Sequence, residues 1–188
     1  GLVPPDRGEV LWSGHPLRGL SSRDLRRARR DVQVVFQNPL DSFDPRWRVG
    51  RIVADPLVAQ GLPDRPERIA DLLRLAGLDP GLAQRDPATL SGGEQQRVAI
   101  ARALATEPRA LLCDEPVASL DPELRHQIVD LLADLNARLG VAILFVTHDL
   151  GLVPRLCSRV VVMAAGRVVD DRPVADLASS PVEETRRL

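Results

Sequence analysis

Asp114 and Glu115 are adjacent carboxylates at the end of an apolar run, 110–113, and are followed by Pro116. A buried strand ending this way delivers acids to the edge of a sheet where ligands of parallel sheets bind. Asp114 has the chemistry to hold Mg²⁺, a hard cation that takes oxygen ligands. Glu115, expected on the opposite side of the pleat, can orient or deprotonate a water. A second apolar run, 141–146, ends in Thr147, His148 and Asp149. An imidazole there can bond a phosphate oxygen or a water. A third run, 32–36, ends in the amide of Gln37. Each has a bland explanation, a solvated turn or a strand-end polar group. Three such ends at one sheet edge are hard to ascribe to chance.

A separate signal is Leu90-Ser91-Gly92-Gly93-Glu94-Gln95-Gln96-Arg97, which leads into the helix-forming run 98–105. Ser91 with Glu94 three residues later is a capping box and starts a helix. A capped helix needs only that pair. Gly92 and Gly93 cost helix stability and leave the first backbone N–H groups uncovered, where the helix dipole favours a phosphate.

Positioning these groups requires a sheet. Strands are predicted at 9–12, 32–36, 110–113, 141–146 and 160–163, and the last three are continuous apolar runs of the kind covered on both faces. Between 38 and 106 the texture is helical and Pro-bounded; residues 67–76 place Ile69, Leu72, Leu73 and Ala76 at helix spacing. In 122–139, Leu124, Ile128, Leu131, Leu135 and Leu139 form one apolar face, with Asp121 as N-cap and Pro122 at the first helical position. Strand, helix, strand at this length is a βαβ crossover. Ala165-Gly166 predicts a tight hairpin joining 160–164 to 167–169.

The chain has 188 residues, 44% of them hydrophobic, enough for one or two compact domains. Its 25 basic and 26 acidic residues leave a net charge of −1, so nothing draws the whole chain to nucleic acid or an anionic membrane. All the basic residues are Arg, and Lys and Tyr are absent. The cluster Arg23, Arg26, Arg27, Arg29 and Arg30 is flanked by Asp24 and Asp31 and lacks interleaved aromatics, which predicts a solvated helix face. Cys113 and Cys157 sit in apolar surroundings without metal spacing and are expected to be buried free thiols. The longest apolar runs, 141–146 and 160–165, fall short of the ~20 residues that span a bilayer, and no leader pattern opens the chain.

Together these residues resemble the nucleotide-binding domain of ATP-binding cassette (ABC) proteins over nearly the whole chain. Residues 90–96 look like the family's signature motif, 111–115 its Walker B strand, 119–121 its D-loop, Thr147-His148 its switch histidine and Gln37 its Q-loop glutamine. The resemblance implies an α/β fold of the P-loop NTPase (RecA-like) type. In it, a mostly parallel core from 1–37 and 107–188 carries an inserted helical subdomain, 38–106. It also implies ATP and Mg²⁺ as cofactors and a second ABC ATPase domain as head-to-tail partner. Glu115, His148 and Gln37 would act in catalysis, with Asp114 and Gln37 at the metal. Ser91, Gly92, Gly93, Glu94 and Gln95 would face the partner's ATP, and Asp121 would couple the two sites.

The family's phosphate loop, G-x-x-x-x-G-K-[ST], requires a Lys and is not among these residues. Gly1-Leu2 resembles the tail of the helix after that loop, and 4–10 the next turn and strand. The expectation is a cassette missing its first strands and Walker A loop, a fragment that alone binds ATP poorly and turns it over negligibly. Residues 36–46, Val49-Gly50 and 55–57 resemble oligopeptide, dipeptide and nickel importer ATPases, as does the ending Ser180-Pro181 with 185–188.

The function implied is ATP hydrolysis driving peptide import, by a peripheral subunit on the cytoplasmic face of the membrane. Its partners would be integral membrane permease subunits, with a solute-binding protein engaged indirectly and no nucleic acid. The alternatives are a non-transport cassette of the translation or repair type, or a catalytically dead truncated cassette that acts only by binding.

Overall fold

A computed structural model describes residues 5–186. Gly1-Leu2, read as the tail of a helix, and Arg187-Leu188 of the importer-like ending lie outside the described residues.

The chain begins with a small hairpin, β1 (Leu11–Trp12) against β2 (His15–Pro16), turned by Ser13 and Gly14, both at positive φ. The predicted strand 9–12 thus shrinks to two paired residues. Helix α1 (Ser22–Asp31) is capped by Ser21 and buries none of its residues, as its arginine-rich face requires.

The central sheet is parallel, in the order β3-β4-β5, built from β3 (Val32–Val35), β4 (Ala110–Asp114) and β5 (Ala142–Val146). Between β4 and β5 the crossover helix α5 (Pro122–Leu139) starts where Asp121 accepts the Leu124 N–H at 3.0 Å and stops at Gly140, whose φ of +66° only glycine adopts freely. Ile128, Val129, Leu132 and Leu135 are its buried face.

Between β3 and β4 run α2 (Val49–Ala59), α3 (Pro66–Leu75) and α4 (Gly92–Leu104), and among the described residues no strand interrupts them. Helix α4 is the pivot of the packing. It contacts α2, α3, α5 and β3, and buries Val98, Ala99, Ile100, Ala101, Ala103 and Leu104. Its polar side chains Gln96, Arg97 and Arg102 reach backbone carbonyls of other segments, Phe36 O, Ala76 O and Ser42 O, and so are partnered within the fold. One hydrophobic core therefore continues from Val35 and Leu111 of the sheet through Ile100 to Val53, Leu57 and Leu73.

After α6 (Val153–Leu156), β6 (Arg159–Ala164) and β7 (Arg167–Pro173) form a separate antiparallel pair over the predicted Ala165-Gly166 turn, with a bulge at Val162/Met163. The buried carboxylate of Asp170 fastens the following segment. It accepts Ser180 Oγ at 2.6 Å, Thr185 Oγ1 at 2.7 Å and the Arg172 guanidinium at 2.7 Å. A short helix, α7 (Glu183–Arg186), closes the described chain.

Three expectations are corrected. The apolar runs of β5 and β6 are not covered on both faces: Leu144 is 64% exposed, Met163 65%, and Val146 and Val161 are open too. Inward residues of β5 meet the core, whereas nothing among the described residues packs on the other side of its pleat. The run 160–163 also belongs to the antiparallel pair rather than to the parallel sheet. Of the two thiols, only Cys113 is buried, and burial pushes it up to about 12. Cys157, at the end of α6, is partly exposed.

Candidate nucleotide site

Parallel pairing places the chemistry of three segments at one sheet edge. Val35 is level with Cys113 and Cys113 with Phe145, so Gln37, Asp114 with Glu115, and His148 all follow carboxyl ends of neighbouring strands. The register sets Val32 beside Ala110 and Ala110 beside Ala142, so the three apolar runs start level and end within one residue of each other.

Glu115 does not continue the pleat as expected. β4 ends at Asp114, and Glu115 takes φ +44°, the left-handed region that non-glycine residues rarely enter. Its backbone is held there from both sides: its N–H donates to Val146 O at 3.0 Å, and its carbonyl accepts the Ala118 N–H at 3.2 Å. Backbone held so tightly in a sparse region is typical of functional turns. The consequence is proximity. His148 Nδ1 lies 3.3 Å from Glu115 Oε1, although the imidazole is 72% exposed and the carboxylate only 33%. Acid and imidazole from different strands thus share one small volume, accessible to water.

Asp114 is exposed, and among the described residues no hydrogen bond or ion pair engages its carboxylate. One available oxygen donor suits Mg²⁺, which keeps several waters and is bound largely through substrate phosphates. Among the described residues no cluster of three or more His, Cys, Asp or Glu could hold a metal by itself. The residues therefore fit a nucleotide-borne cation rather than a protein-only cage. Gln37 is exposed, two residues beyond β3.

At the other candidate surface, the Ser91 capping box is complete. Glu94 N–H donates to Ser91 Oγ at 3.3 Å, and Glu94 Oε2 accepts the Ser91 N–H at 2.8 Å. That Ser91 N–H, with the Ser91 hydroxyl donating to the same Oε2 at 2.8 Å, holds the Glu94 carboxyl below the ordinary carboxylate range. The Gln95 N–H goes to Ser91 O at 2.9 Å, so among the described residues the N–H groups of Gly92 and Gly93 are the ones left unengaged. The glycines also have a packing reason that the sequence did not disclose. A Cβ on Gly92 would stand 3.2 Å from Leu120, and one on Gly93 3.1 Å from Leu124. Small residues let the start of α4 lie against the start of α5. Gln95 turns its amide away from solvent, donating to Pro87 O and Leu90 O. Among the described residues no hydrogen bond or ion pair joins Ser91–Gln95 to Asp114, Glu115 or His148. The two sets of groups are separate surfaces of this chain.

Three residues were missed in the sequence. Gln96, buried, donates its amide to Phe36 O at 3.4 Å, beside Gln37. Arg102 donates to Ser42 O at 2.7 Å and to Ser42 Oγ at 2.8 Å, with its guanidinium over the Phe43 ring. Arg125 donates Nε to Leu120 O at 2.8 Å. A polar residue within a buried helix is the signal that could have exposed the first two, because such a group needs a partner.

A parallel three-stranded sheet with carboxylates and an imidazole at its carboxyl edge, and a capped, glycine-started helix at a second surface, defines an α/β protein with two candidate ligand surfaces. The ABC transporter family matches residues 1–118, and the chain belongs to it. It is 48% identical to the nickel import ATP-binding protein NikE of Rhodospirillum rubrum, over 93% of this chain and 64% of that protein. It is 43% identical to the oligopeptide transport ATP-binding protein OppD of Mycobacterium tuberculosis, over 100% of this chain and 31% of that protein. Among solved structures, a dimeric ATP-binding cassette in a post-hydrolysis state bound to ADP and Pi superposes with a TM-score of 0.80. It shares 32% identity, over 92% of this chain and 76% of that one. The P-loop NTPase cassette fold is thereby established. The chain spans from about a third to two thirds of the length of these curated relatives.

Proposed function

We propose that this chain is the body of an ATP-binding and ATP-hydrolysing subunit of an ABC importer. The observation that carries the reading is the single sheet edge that Gln37, Asp114, Glu115 and His148 follow, with His148 Nδ1 3.3 Å from Glu115 Oε1. In this reading 1–37 with 107–188 forms the nucleotide-binding core, and 38–106 the helical unit that carries Ser91.

Bound Mg²⁺ would neutralise phosphate charge as the terminal phosphoryl group leaves. Asp114 and Gln37 would hold the cation's coordination sphere. Glu115 would orient the attacking water and accept its proton, and His148, in contact with Glu115 and open to solvent, would steady the acid and bond a phosphate oxygen. The unengaged N–H groups of Gly92 and Gly93, with the Ser91 hydroxyl, would receive the phosphate of a second domain's nucleotide. Asp121, which caps α5 beside Leu120, would transmit the state of one site to the other.

A second ATPase domain and a membrane-embedded permease are the partners this requires. Among the described residues no helix is long and apolar enough to cross a membrane. Peptide import is the cargo proposed, although residues 36–46, 49–50 and 55–57 resemble oligopeptide, dipeptide and nickel importers alike. The relatives' names support oligopeptide and nickel alike, and uptake of labelled peptide against labelled nickel separates the two.

The test is Mg²⁺-dependent ATP hydrolysis by a protein carrying these residues together with a G-x-x-x-x-G-K-[ST] segment read from the coding DNA. Glu115→Gln is expected to lower turnover by about 100-fold or more while ATP still binds. Unchanged turnover overturns the reading. The 188 residues alone, having no Lys, are expected to show turnover indistinguishable from buffer.

A further inference from the structure

Arg125 is a cation in the opening turns of α5, beside Asp121 and Glu123. The positive end of the helix dipole disfavours it there. Its side chain is two-thirds buried and points back past the start of its own helix. Nε donates to Leu120 O at 2.8 Å, and Nη2 lies 3.5 Å from Ala118 O. On its far side Nη1 lies 3.7 Å from Asp149 Oδ2.

Both ends of this bridge are turns of the candidate site. The turn 118–121 is tied to Glu115 through Ala118 N–H to Glu115 O at 3.2 Å, and closes on itself through Leu120 N–H to Val117 O at 3.1 Å. Asp149 directly follows His148 and shapes its own turn. It takes Thr147 Oγ1 as acceptor for its N–H at 3.0 Å, and its Oδ1 accepts the Gly151 N–H at 3.0 Å. A planar guanidinium can serve two carbonyls and a carboxylate at once from fixed donors.

We propose that Arg125 is a positioning residue that locks the turn 118–121 to the His148 turn, so that displacement of either is felt by the other. The proposal rests on the nucleotide reading above only for its functional meaning, that these turns are the coupling segment and the switch histidine. The bridge itself is a property of the chain without nucleotide.

The experiment is amide hydrogen exchange on the 188-residue chain, with no nucleotide present. Arg125→Leu is expected to speed exchange at least tenfold both at Ala118 and Leu120 and at Asp149 and Gly151, while Val129 and Leu132 in the same helix keep their protection. Asp149→Asn, which leaves α5 untouched, is expected to speed exchange at Ala118 and Leu120. This second variant separates coupling from loss of a helix side chain and serves if Arg125→Leu fails to fold. Arg125→Lys should restore protection at Asp149 and Gly151 more than at Ala118 and Leu120, because a point charge cannot hold the carbonyls and the carboxylate together. Acceleration at one turn alone, or no response of 118–120 to Asp149→Asn, overturns the proposal. Negligible ATP turnover would leave it standing, so its failure and that of the nucleotide reading are read separately.

Discussion

The helices between β3 and β4 and the strands from β5 to β7 are both rich in apolar residues, the strands more so, but differ in the structure. Val53, Leu57, Leu73, Val98 and Ile100 are almost wholly enclosed, whereas Leu144, Val161, Met163 and Val168 are at least half exposed. The difference is one of partners. Helix α4 meets elements on every side, while each of the late strands has one face with nothing described against it. An apolar run states what a segment can bury, and only the neighbouring elements decide what it does bury.

That contrast can be broken by mutation, with effects in descending order. Ile100→Ala is expected to cost about 3 kcal/mol by urea unfolding, because α4 has no way to collapse around the cavity. A loss under about 1 kcal/mol would show that the helical region is loosely packed. Arg102→Ala should cost about 2 kcal/mol, removing two hydrogen bonds and the cover of Phe43. Its local signature is faster proteolysis within 39–48, and a stable variant with an unchanged cleavage pattern would refute the clamp. Ser91→Ala dismantles the capping box and should cost about 1 kcal/mol, read as a fall in the urea midpoint at constant slope.

Asp170 gives the late strands a pH dependence. The Arg172 guanidinium, with the Ser180 and Thr185 hydroxyls, holds its carboxyl far below its usual 3.8. A depressed folded-state value means stability that is fully present above 3.8 and lost as pH falls below it towards the folded value. Asp170→Asn should flatten the acid limb of the stability curve, and an identical limb in variant and parent would remove Asp170 as its source. Smallest of all, Leu144→Ser should change stability by no more than about 0.5 kcal/mol, since its side chain is already in water. A loss as large as that of Ile100→Ala would mean that the face of β5 is covered in solution.

Much of the site was legible beforehand. Asp121 and Pro122 marked the start of α5 to the residue, and the Ser91–Glu94 pair marked that of α4, because capping is local chemistry within four residues. The strand ends at Gln37, Asp114 and His148 were also readable, since apolar runs ending in polar residues place those residues at a sheet margin. The sequence did not disclose that Glu115 leaves the pleat for a left-handed turn, that Gly92 and Gly93 make room for Leu120 and Leu124, or that Arg125 bridges two turns. Each depends on a contact with a residue distant in sequence or on backbone geometry that its own residue type disfavours.

By itself the sequence determined the family, the alternation of strands and helices, and the polar groups that end the strands, because periodicity, caps and motif spacing act over a few residues. Tertiary structure alone decided which apolar faces are covered and which acid meets the histidine. Burial and proximity are relations between segments that only parallel register and helix packing bring together.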